Sequence, residues 1–451
     1  MNVPRVVIAG THSGCGKTSV AAGLLRAFRR RGTRAQPYKA GPDFLDPPHL
    51  TAASGRPCRN LDGWMLPRET LVEVFARGAE GVDVAVIEGM MGLYDGVGGT
   101  SDEGSTAEAA RWLGAPVILV VDVSASARSA AAAALGFTVF DPGLNVAGVI
   151  ANRAGGPAHV QTLRDALGSS GIPLLGTLPT NPDFAVAERH LGLLPPDESA
   201  LDALADAVAE SVDLDAVLRI ARTAPPVVVA GSPAFPPMSM APAVRVAAAR
   251  DEAFSFYYQD ALELLEAYGA ALISFSPLHD AEPPPADGLY LGGGHPEAFA
   301  AGLAANTSMR RAIASAVRDG LPVHAECGGL LYLTERIEDG AGRAHPMVGA
   351  VPGVTRMHER PAATSYVTLQ ALDDSLLLRA GETVRAHEFH YSTVELESPV
   401  RFAYRSAEGR GIETGYDGIY LPRGVASYAH MHLAALPAMA ERFVEACRRS
   451  R

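Results

Sequence analysis

The first residues placed to do chemistry are Gly10-Thr11-His12-Ser13-Gly14-Cys15-Gly16-Lys17-Thr18, which follow the apolar run Val6-Val7-Ile8-Ala9. A buried strand, a glycine-bearing loop, Lys-Thr and a helix over residues 19–30 together make a phosphate-binding loop. Backbone N–H groups at Thr11, Gly14 and Gly16 would surround phosphates, and the helix N-terminus adds positive dipole. Lys17 would reach the β- and γ-phosphates, and the Thr18 hydroxyl would ligate Mg²⁺. The strict pattern sets glycine at position 11, whereas here Gly10 comes one residue early and Thr11 follows. An ordinary strand–helix turn is the plainer alternative.

Further polar groups fall at strand ends, where an open α/β sheet binds its ligands. Asp43 and Asp46 follow a strand over residues 34–39, although turn chemistry beside proline and glycine would also explain them. Glu88 closes a strand over residues 83–87, a good position for binding Mg²⁺ directly or through water. It could instead cap the segment that follows. Asp95, in the same loop, is a candidate for substrate or metal contact. Asn152 closes a strand over residues 145–150 and could read an adenine edge or simply begin a polar loop.

The second centre of reactivity is Glu326-Cys327-Gly328-Gly329, between a strand over residues 322–325 and a helix over 330–336. A cysteine on a tight strand-to-helix turn has the geometry of a nucleophile elbow, and the helix N-terminus favours thiolate over thiol. The bland alternative is a small buried cysteine. Upstream, Gly292-Gly293-Gly294 follows a strand over residues 288–291 and offers backbone N–H groups to an oxyanion. A thiol nucleophile needs a base. Among thirteen histidines, His430 and His432 lie nearest a strand end late in the chain. Strand alternation would point both to one face, which leaves the choice between them open.

These groups need a scaffold, and the chain supplies one. Its 451 residues suggest two or three domains, and 48 % apolar residues suffice for substantial cores. Strands and helices alternate to a long helix over residues 199–222, which predicts a mostly parallel, doubly wound α/β sheet. A proline-rich linker over 223–243 follows, with Val227-Val228-Val229 as a candidate edge strand. A second α/β domain runs over 244–451 and gives way to short strands after Met347. The helix that opens it is predicted over residues 256–268.

A net charge of −12 argues against nucleic-acid binding. No apolar run reaches membrane-span length, and the N-terminus lacks a signal-peptide pattern. Cys15, Cys58, Cys327 and Cys447 form no CxxC pair, which argues against zinc sites and disulfides and suits a reducing cytoplasm.

Both halves resemble known families. The glycine triplet, the Cys327 elbow and the late histidine are similar to class I (triad-type) glutamine amidotransferases. The N-terminal half, with Gly-Thr ahead of Gly-Lys-Thr, resembles dethiobiotin-synthetase-like P-loop ligases. The combination resembles the cobyrinic or hydrogenobyrinic acid a,c-diamide synthases of cobalamin biosynthesis over nearly the whole chain. Its markers include Lys39-Ala-Gly-Pro-Asp43-Phe-Leu-Asp46, Glu88-Gly-Met-Met-Gly-Leu-Tyr-Asp95-Gly, Arg189-His-Leu-Gly-Leu193 and His387-Glu-Phe-His-Tyr-Ser392.

The resemblance implies an ATP- and glutamine-dependent ligase that uses Mg²⁺ and amidates the a and c carboxylates of a corrin through an acyl phosphate. Ammonia would pass from the cysteine site to the P-loop domain without leaving the protein. A homodimer is plausible for ligases of this fold. Lys17 and Thr18 would hold phosphate and Mg²⁺, Asp43 and Glu88 the metal, Asp95 would face the corrin, and Asn152 would read adenine. Cys327 would be the nucleophile and His430 its base, with Gly293, Gly294 and Gly328 as oxyanion donors. Many relatives carry Glu two residues after that histidine, where this chain has His432. Amidation of another tetrapyrrole such as nickel sirohydrochlorin, or of cobyric acid side chains, is the nearest alternative. A regulatory P-loop ATPase with an amidotransferase-like module is a more distant one, and the intact Cys327 elbow argues against it.

Overall fold

Runs of small and β-branched apolar residues without alternation require strands covered on both faces. The first such run is β1 (Arg5–Gly10), buried throughout. The computed structural model describes residues 1–181, 184, 188–189, 192–193, 197–229 and 234–450. It divides into two compact units, Met1–Ser232 and Pro233–Arg451.

In the first unit β1 is followed by α1 (Lys17–Arg30), β2 (Ala35–Ala40), α2 (Asp46–Ser54), β3 (Arg59–Leu61) and α3 (Arg68–Gly78). Next come β4 (Val84–Glu88), α4 (Thr106–Leu113), β5 (Val117–Asp122), α5 (Arg128–Phe140), β6 (Val146–Ala154) and α6 (Pro157–Ser169). Then β7 (Leu174–Pro179), a two-stranded ribbon of β8 (Glu188–Arg189) and β9 (Gly192–Leu193), α7 (Glu198–Ser211) and α8 (Leu214–Ala221) complete it. The main sheet runs β3-β2-β4-β1-β5-β6-β7 with every neighbour parallel. The chain therefore passes from one side of β1 to the other between β4 and β5, and ligand crevices form at such a reversal. Val20, Leu24 and Phe28 of α1 pack with Val6 and Ile8 of β1 and with Leu204 and Val208 of α7.

The second unit opens with β10 (Val244–Ala249), β11 (Phe254–Phe256), α9 (Gln259–Ala267), β12 (Ala270–Phe275), β13 (Gly288–Leu291) and β14 (Gly293–Gly294). It continues with α10 (Ala300–Ala305), α11 (Thr307–Arg318), β15 (Val323–Glu326) and α12 (Gly328–Leu333). Short strands follow: β16 (Arg336–Glu338), β17 (Ala344–Pro346), β18 (Gly353–Met357), β19 (Ala363–Ala371), β20 (Thr383–His390) and β21 (Ser392–Leu396). The unit closes with β22 (Phe402–Ala407), β23 (Tyr416–Leu421), β24 (Gly424–Ser427) and α13 (Ala438–Arg448). Its large sheet, β12-β10-β13-β15-β24-β23-β22-β19-β20, is parallel as far as β24 and antiparallel beyond it.

Several elements differ from the sequence reading. The turn considered at Asp43 and Asp46 gives way to a helix: α2 begins at Asp46 with Pro47 and Pro48 in its first turn. Proline is tolerated there because first-turn N–H groups have no intrahelical acceptor. The long helix predicted over 199–222 is two, broken where Asp213 caps α8 by accepting from Ala216 N–H at 2.8 Å. The helix predicted from 256 starts later because β11 is committed to pairing with β14. Val227-Val228-Val229 forms no strand, although Val227 exchanges backbone hydrogen bonds with Met1. Residues 230–233 of the expected linker lie outside the described residues, as do His190 and Leu191 of the Arg189–Leu193 marker.

The largest correction concerns the late histidines. β24 stops at Ser427, because the buried Asp417 carboxylate accepts from both Tyr428 N–H and Ala429 N–H at 3.0 Å and turns the chain out of the strand. His430 and His432 are therefore not strand neighbours on one face. Asp417→Ala would orphan two buried donors at roughly 1–3 kcal/mol each. The expected outcome is a loss of several kcal/mol in urea unfolding.

Candidate functional site

At the carboxyl end of β1 the chain turns sharply, and Gly14 (φ 79°) and Gly16 (φ 95°) take left-handed conformations that side chains disfavour. The early glycine has its own reason: a Cβ at Gly10 would run into the Cys15 sulfur and the Lys17 stem. Lys17 Nζ donates to the His12 carbonyl at 3.2 Å, so its ammonium arches back over the loop. Thr11 Oγ1 lies 2.9 Å from His12 Nδ1. Beside it Leu93 N–H donates to Gly10 O at 2.9 Å, which seats the Glu88–Asp95 loop on the phosphate loop.

Behind Lys17 lies a buried cluster of charge. Thr18 Oγ1 donates to Glu88 Oε1 at 2.7 Å. Lys39 Nζ stands 3.0 Å from that oxygen, 2.5 Å from Asp46 Oδ2 and 3.7 Å from Asp43 Oδ2. The structure thus gathers Asp43, Asp46 and Glu88 around Lys39, with Thr18 on Glu88. Lys39 was missed as a site residue. The available signal was a lysine closing a buried strand with two aspartates within the next seven positions.

Burial alone would depress Lys39, but Glu88, Asp46 and Asp43 outweigh it and hold the ammonium above its ordinary range. Burial and then Asp46 push Glu88 up to about 7 and Asp43 up to about 8. Burial also opposes ionisation of Asp46, yet Lys39 overrides it and holds that carboxyl down to about 2.

Among the described residues no group of three or more His, Cys, Asp or Glu side chains forms a metal cage. Mg²⁺ asks for less, commonly one or two carboxylates plus phosphate oxygens and water. Glu88 Oε2 is buried without a hydrogen-bond partner, and the Thr18 hydroxyl sits beside the same carboxylate. Hard oxygen donors, one of them orphaned, fit that ion.

Asp95 is exposed, and its Oδ2 accepts from Gly92 N–H at 2.7 Å. Asn152 lies beneath the phosphate loop, not at a free strand end, because β6 extends to Ala154. Its Nδ2 donates to Cys15 O at 2.9 Å, and a Cβ at Gly16 would collide with it. At least one of its amide hydrogens holds the loop.

In the second unit Cys327 adopts φ 45° and ψ −103°, a strained elbow between β15 and α12. Its N–H donates to Ser427 O at 2.7 Å. Glycine follows twice because space demands it: a Cβ at Gly329 would run into the Leu291 carbonyl, and one at Gly328 would press on Gly294 N at 2.9 Å. On its other side Gly293 abuts the His430 ring, with no room for a Cβ. Cys327, Gly328, Gly293, Gly294 and His430 are thereby gathered at one spot. Gly292 is excluded as an oxyanion donor, since its N–H already donates to the Tyr257 hydroxyl at 2.9 Å.

The thiol is not the thiolate that the elbow position suggested. Burial raises its pKa well above the ordinary cysteine range and Glu297 adds to it, while the Gly328 N–H directed at the sulfur only partly compensates. Burial also pushes His430 down to about 4, so its imidazole is neutral and able to accept a proton. His432 faces elsewhere: it stacks on Tyr258 with centroids 4.8 Å apart, and its Nδ1 accepts from Ala434 N–H.

Two family models match the chain. One, a CobQ/CobB/MinD/ParA nucleotide binding domain, covers residues 6–193, and the other, a CobB/CobQ-like glutamine amidotransferase domain, covers residues 245–437. Proteins called cobyrinate a,c-diamide synthase are similar end to end. The one from Dehalococcoides mccartyi (strain CBDB1) is 43 % identical over 98 % of each chain. That from Syntrophotalea carbinolica is 44 % identical over 99 % of each chain, and that from Salmonella typhimurium 43 % over 98 % of each.

The buried imidazoles give a signed pH dependence. His432 falls to about 3 in the folded chain through burial, against roughly 6.5 when unfolded. Between those values the unfolded state binds a proton that the folded state refuses, so this stability is complete above about pH 6.5 and is lost as pH falls toward 3. His432→Asn removes the titration and keeps an acceptor for Ala434 N–H. Relative to the variant, the parent is expected to lose stability steadily from pH 6.5 to 4 in chemical unfolding. A constant difference would refute the assignment.

Proposed function

The chain belongs to the cobyrinate a,c-diamide synthases, and on that premise we propose how its two units share one reaction. The enzyme is a glutamine-hydrolysing carbon–nitrogen ligase of cobalamin biosynthesis, with ATP as co-substrate. The observation that carries the residue-level reading is that one chain holds both an elbow cysteine and a neutral histidine flanking the same Gly293–Gly294 turn and a phosphate loop backed by a buried acidic cluster.

In the second unit the Cys327 proton passes to His430 as sulfur adds to the glutamine side-chain carbonyl. Gly293, Gly294 and Gly328 amides stabilise the resulting oxyanion. Collapse breaks the C–N bond, the proton returns to the leaving nitrogen, and ammonia departs. Water then cleaves the thioester to glutamate. A neutral thiol suits this sequence, because the base takes the proton only as the new bond forms.

In the first unit a corrin carboxylate oxygen attacks the γ-phosphorus of ATP, ADP leaves, and ammonia displaces phosphate from the acyl phosphate to give the amide. Lys17 neutralises charge on the transferred group, and Asp95 faces the corrin. Asn152 orders the loop and, on the family's pattern, contacts adenine. Thr18, Glu88 and Asp43 would hold Mg²⁺, which supplies charge neutralisation at the phosphates. Lys39 gathers those carboxylates and holds their neighbour Asp46 ionised. A cytoplasmic location and a homodimer complete the reading.

The test is ATP- and glutamine-dependent turnover with cobyrinic acid and hydrogenobyrinic acid side by side, with products resolved by mass. Two successive amidations of at least one substrate are expected, and none of either would overturn the reading. Cys327→Ala is expected to cut glutamine-dependent amidation roughly 10³-fold or more while amidation with added ammonium persists. Failure with saturating ammonium would break the proposed division of labour. Glu88→Gln is expected to lower turnover from either nitrogen source roughly 10²-fold, about 2.7 kcal/mol of barrier, with nucleotide binding retained. A near-normal rate at moderate Mg²⁺ would remove Glu88 from the site.

A further inference from the structure

We propose that Glu326, the residue before the nucleophile, is the carboxylate that positions His430 and stabilises the imidazolium formed when it takes the Cys327 proton. This rests on the reading of Cys327 and His430 as nucleophile and base. A base that becomes charged in a buried site needs a counter-charge. His432 cannot supply one. Its Nδ1 is already the acceptor for Ala434 N–H, and its Nε2 is buried with no hydrogen-bond partner.

Other carboxylates of this unit are bonded to other segments. Glu388 accepts from Arg410 N–H and Gly411 N–H and lies 2.8 Å from His390 Nε2. Asp417 caps the Tyr428–Ala429 turn. Glu297 lies 3.2 Å from His295 Nδ1.

Glu326 is placed differently. Its Oε1 accepts from Met431 N–H at 2.9 Å, the peptide between the two histidines, and its Oε2 accepts from the Tyr290 hydroxyl at 2.9 Å. His324 Nε2 lies 3.2 Å from Oε1. The parallel register of β15 on β24 sets Glu326 opposite Ser427, the last strand residue before the histidine segment. One carboxylate thus anchors the segment that carries His430 and also the strand that leads to the Gly293–Gly294 turn. It is ionised: burial opposes this, but His324, His430 and Met431 N–H hold it below the ordinary carboxylate range. Burial depresses both His430 and His432, and Glu326 is the group that pushes back in each case.

The experiment compares Glu326→Gln and Glu326→Asp in the full-length enzyme, with Cys327→Ala alongside. Glutamine offers a similar shape and can still accept from one donor, but it carries no charge. Glu326→Gln is expected to lower kcat for glutamine hydrolysis roughly 10²-fold, with KM for glutamine changed less than about threefold. Glu326→Asp is expected to recover much of that loss, and ammonium-dependent amidation should hold in all three variants. A kcat for Glu326→Gln within about threefold of the parent, or an aspartate variant as slow as the glutamine one, would overturn the proposal. Should Cys327→Ala keep glutamine-dependent activity, the nucleophile assignment itself fails; loss there with a normal Glu326→Gln enzyme sinks only the role of Glu326.

Discussion

A charged group taken out of water must find its counter-charge and donors inside the protein, and both centres are built on that requirement. In the first unit a buried ammonium, Lys39, draws Asp43 and the first residue of α2, Asp46, to one point with Glu88 at the end of β4. It holds Asp46 ionised, while burial and the Asp46 charge push Glu88 and Asp43 up to about 7 and about 8. In the second unit the buried Glu326 ties the Met431 amide, the Tyr290 hydroxyl and His324 together beside Cys327. These pairings fix the loops at strand ends, and the loops carry the chemistry.

The same burial sets the resting protonation states. Cys327 stays a thiol and His430 a neutral imidazole, because each charged form alone is poorly solvated at its site. A buried neutral thiol is protected from oxidation and alkylation, since the thiolate is the reactive form. In the phosphate-loop unit burial has the opposite use: Asp46 remains ionised because Lys39 stands 2.5 Å away.

Close approach of backbone to backbone is the second shared constraint. Gly293 lies against His430, Gly328 against Gly294, and Gly329 against the Leu291 carbonyl, so side chains there would force the elements apart. In the phosphate loop Gly10 makes room for the Lys17 stem and Gly16 for Asn152. The glycine displaced by one position from the strict pattern is thus explained by what packs against it.

The sequence by itself determined the parts whose physics is local. A β-branched run into a glycine-bearing loop and Gly-Lys-Thr marks a phosphate loop, and Glu-Cys-Gly-Gly between a strand and a helix marks an elbow, because each signal is carried by adjacent residues. The α/β alternation and the two halves were legible for the same reason, since periodicity and turn residues act within a few positions of each other. Tertiary structure alone decided what depends on distant partners. Lys39 became the hub of an acidic cluster only when β2 and β4 paired. Asp417 ended β24 before the histidines, which parted His430 from His432 and cancelled the alternation rule. Pro47 and Pro48 sat inside a helix start, where their missing N–H groups cost nothing. Burial reversed the thiolate expected at Cys327, because desolvation is set by every neighbour in space and outweighs the one amide that the local turn provides.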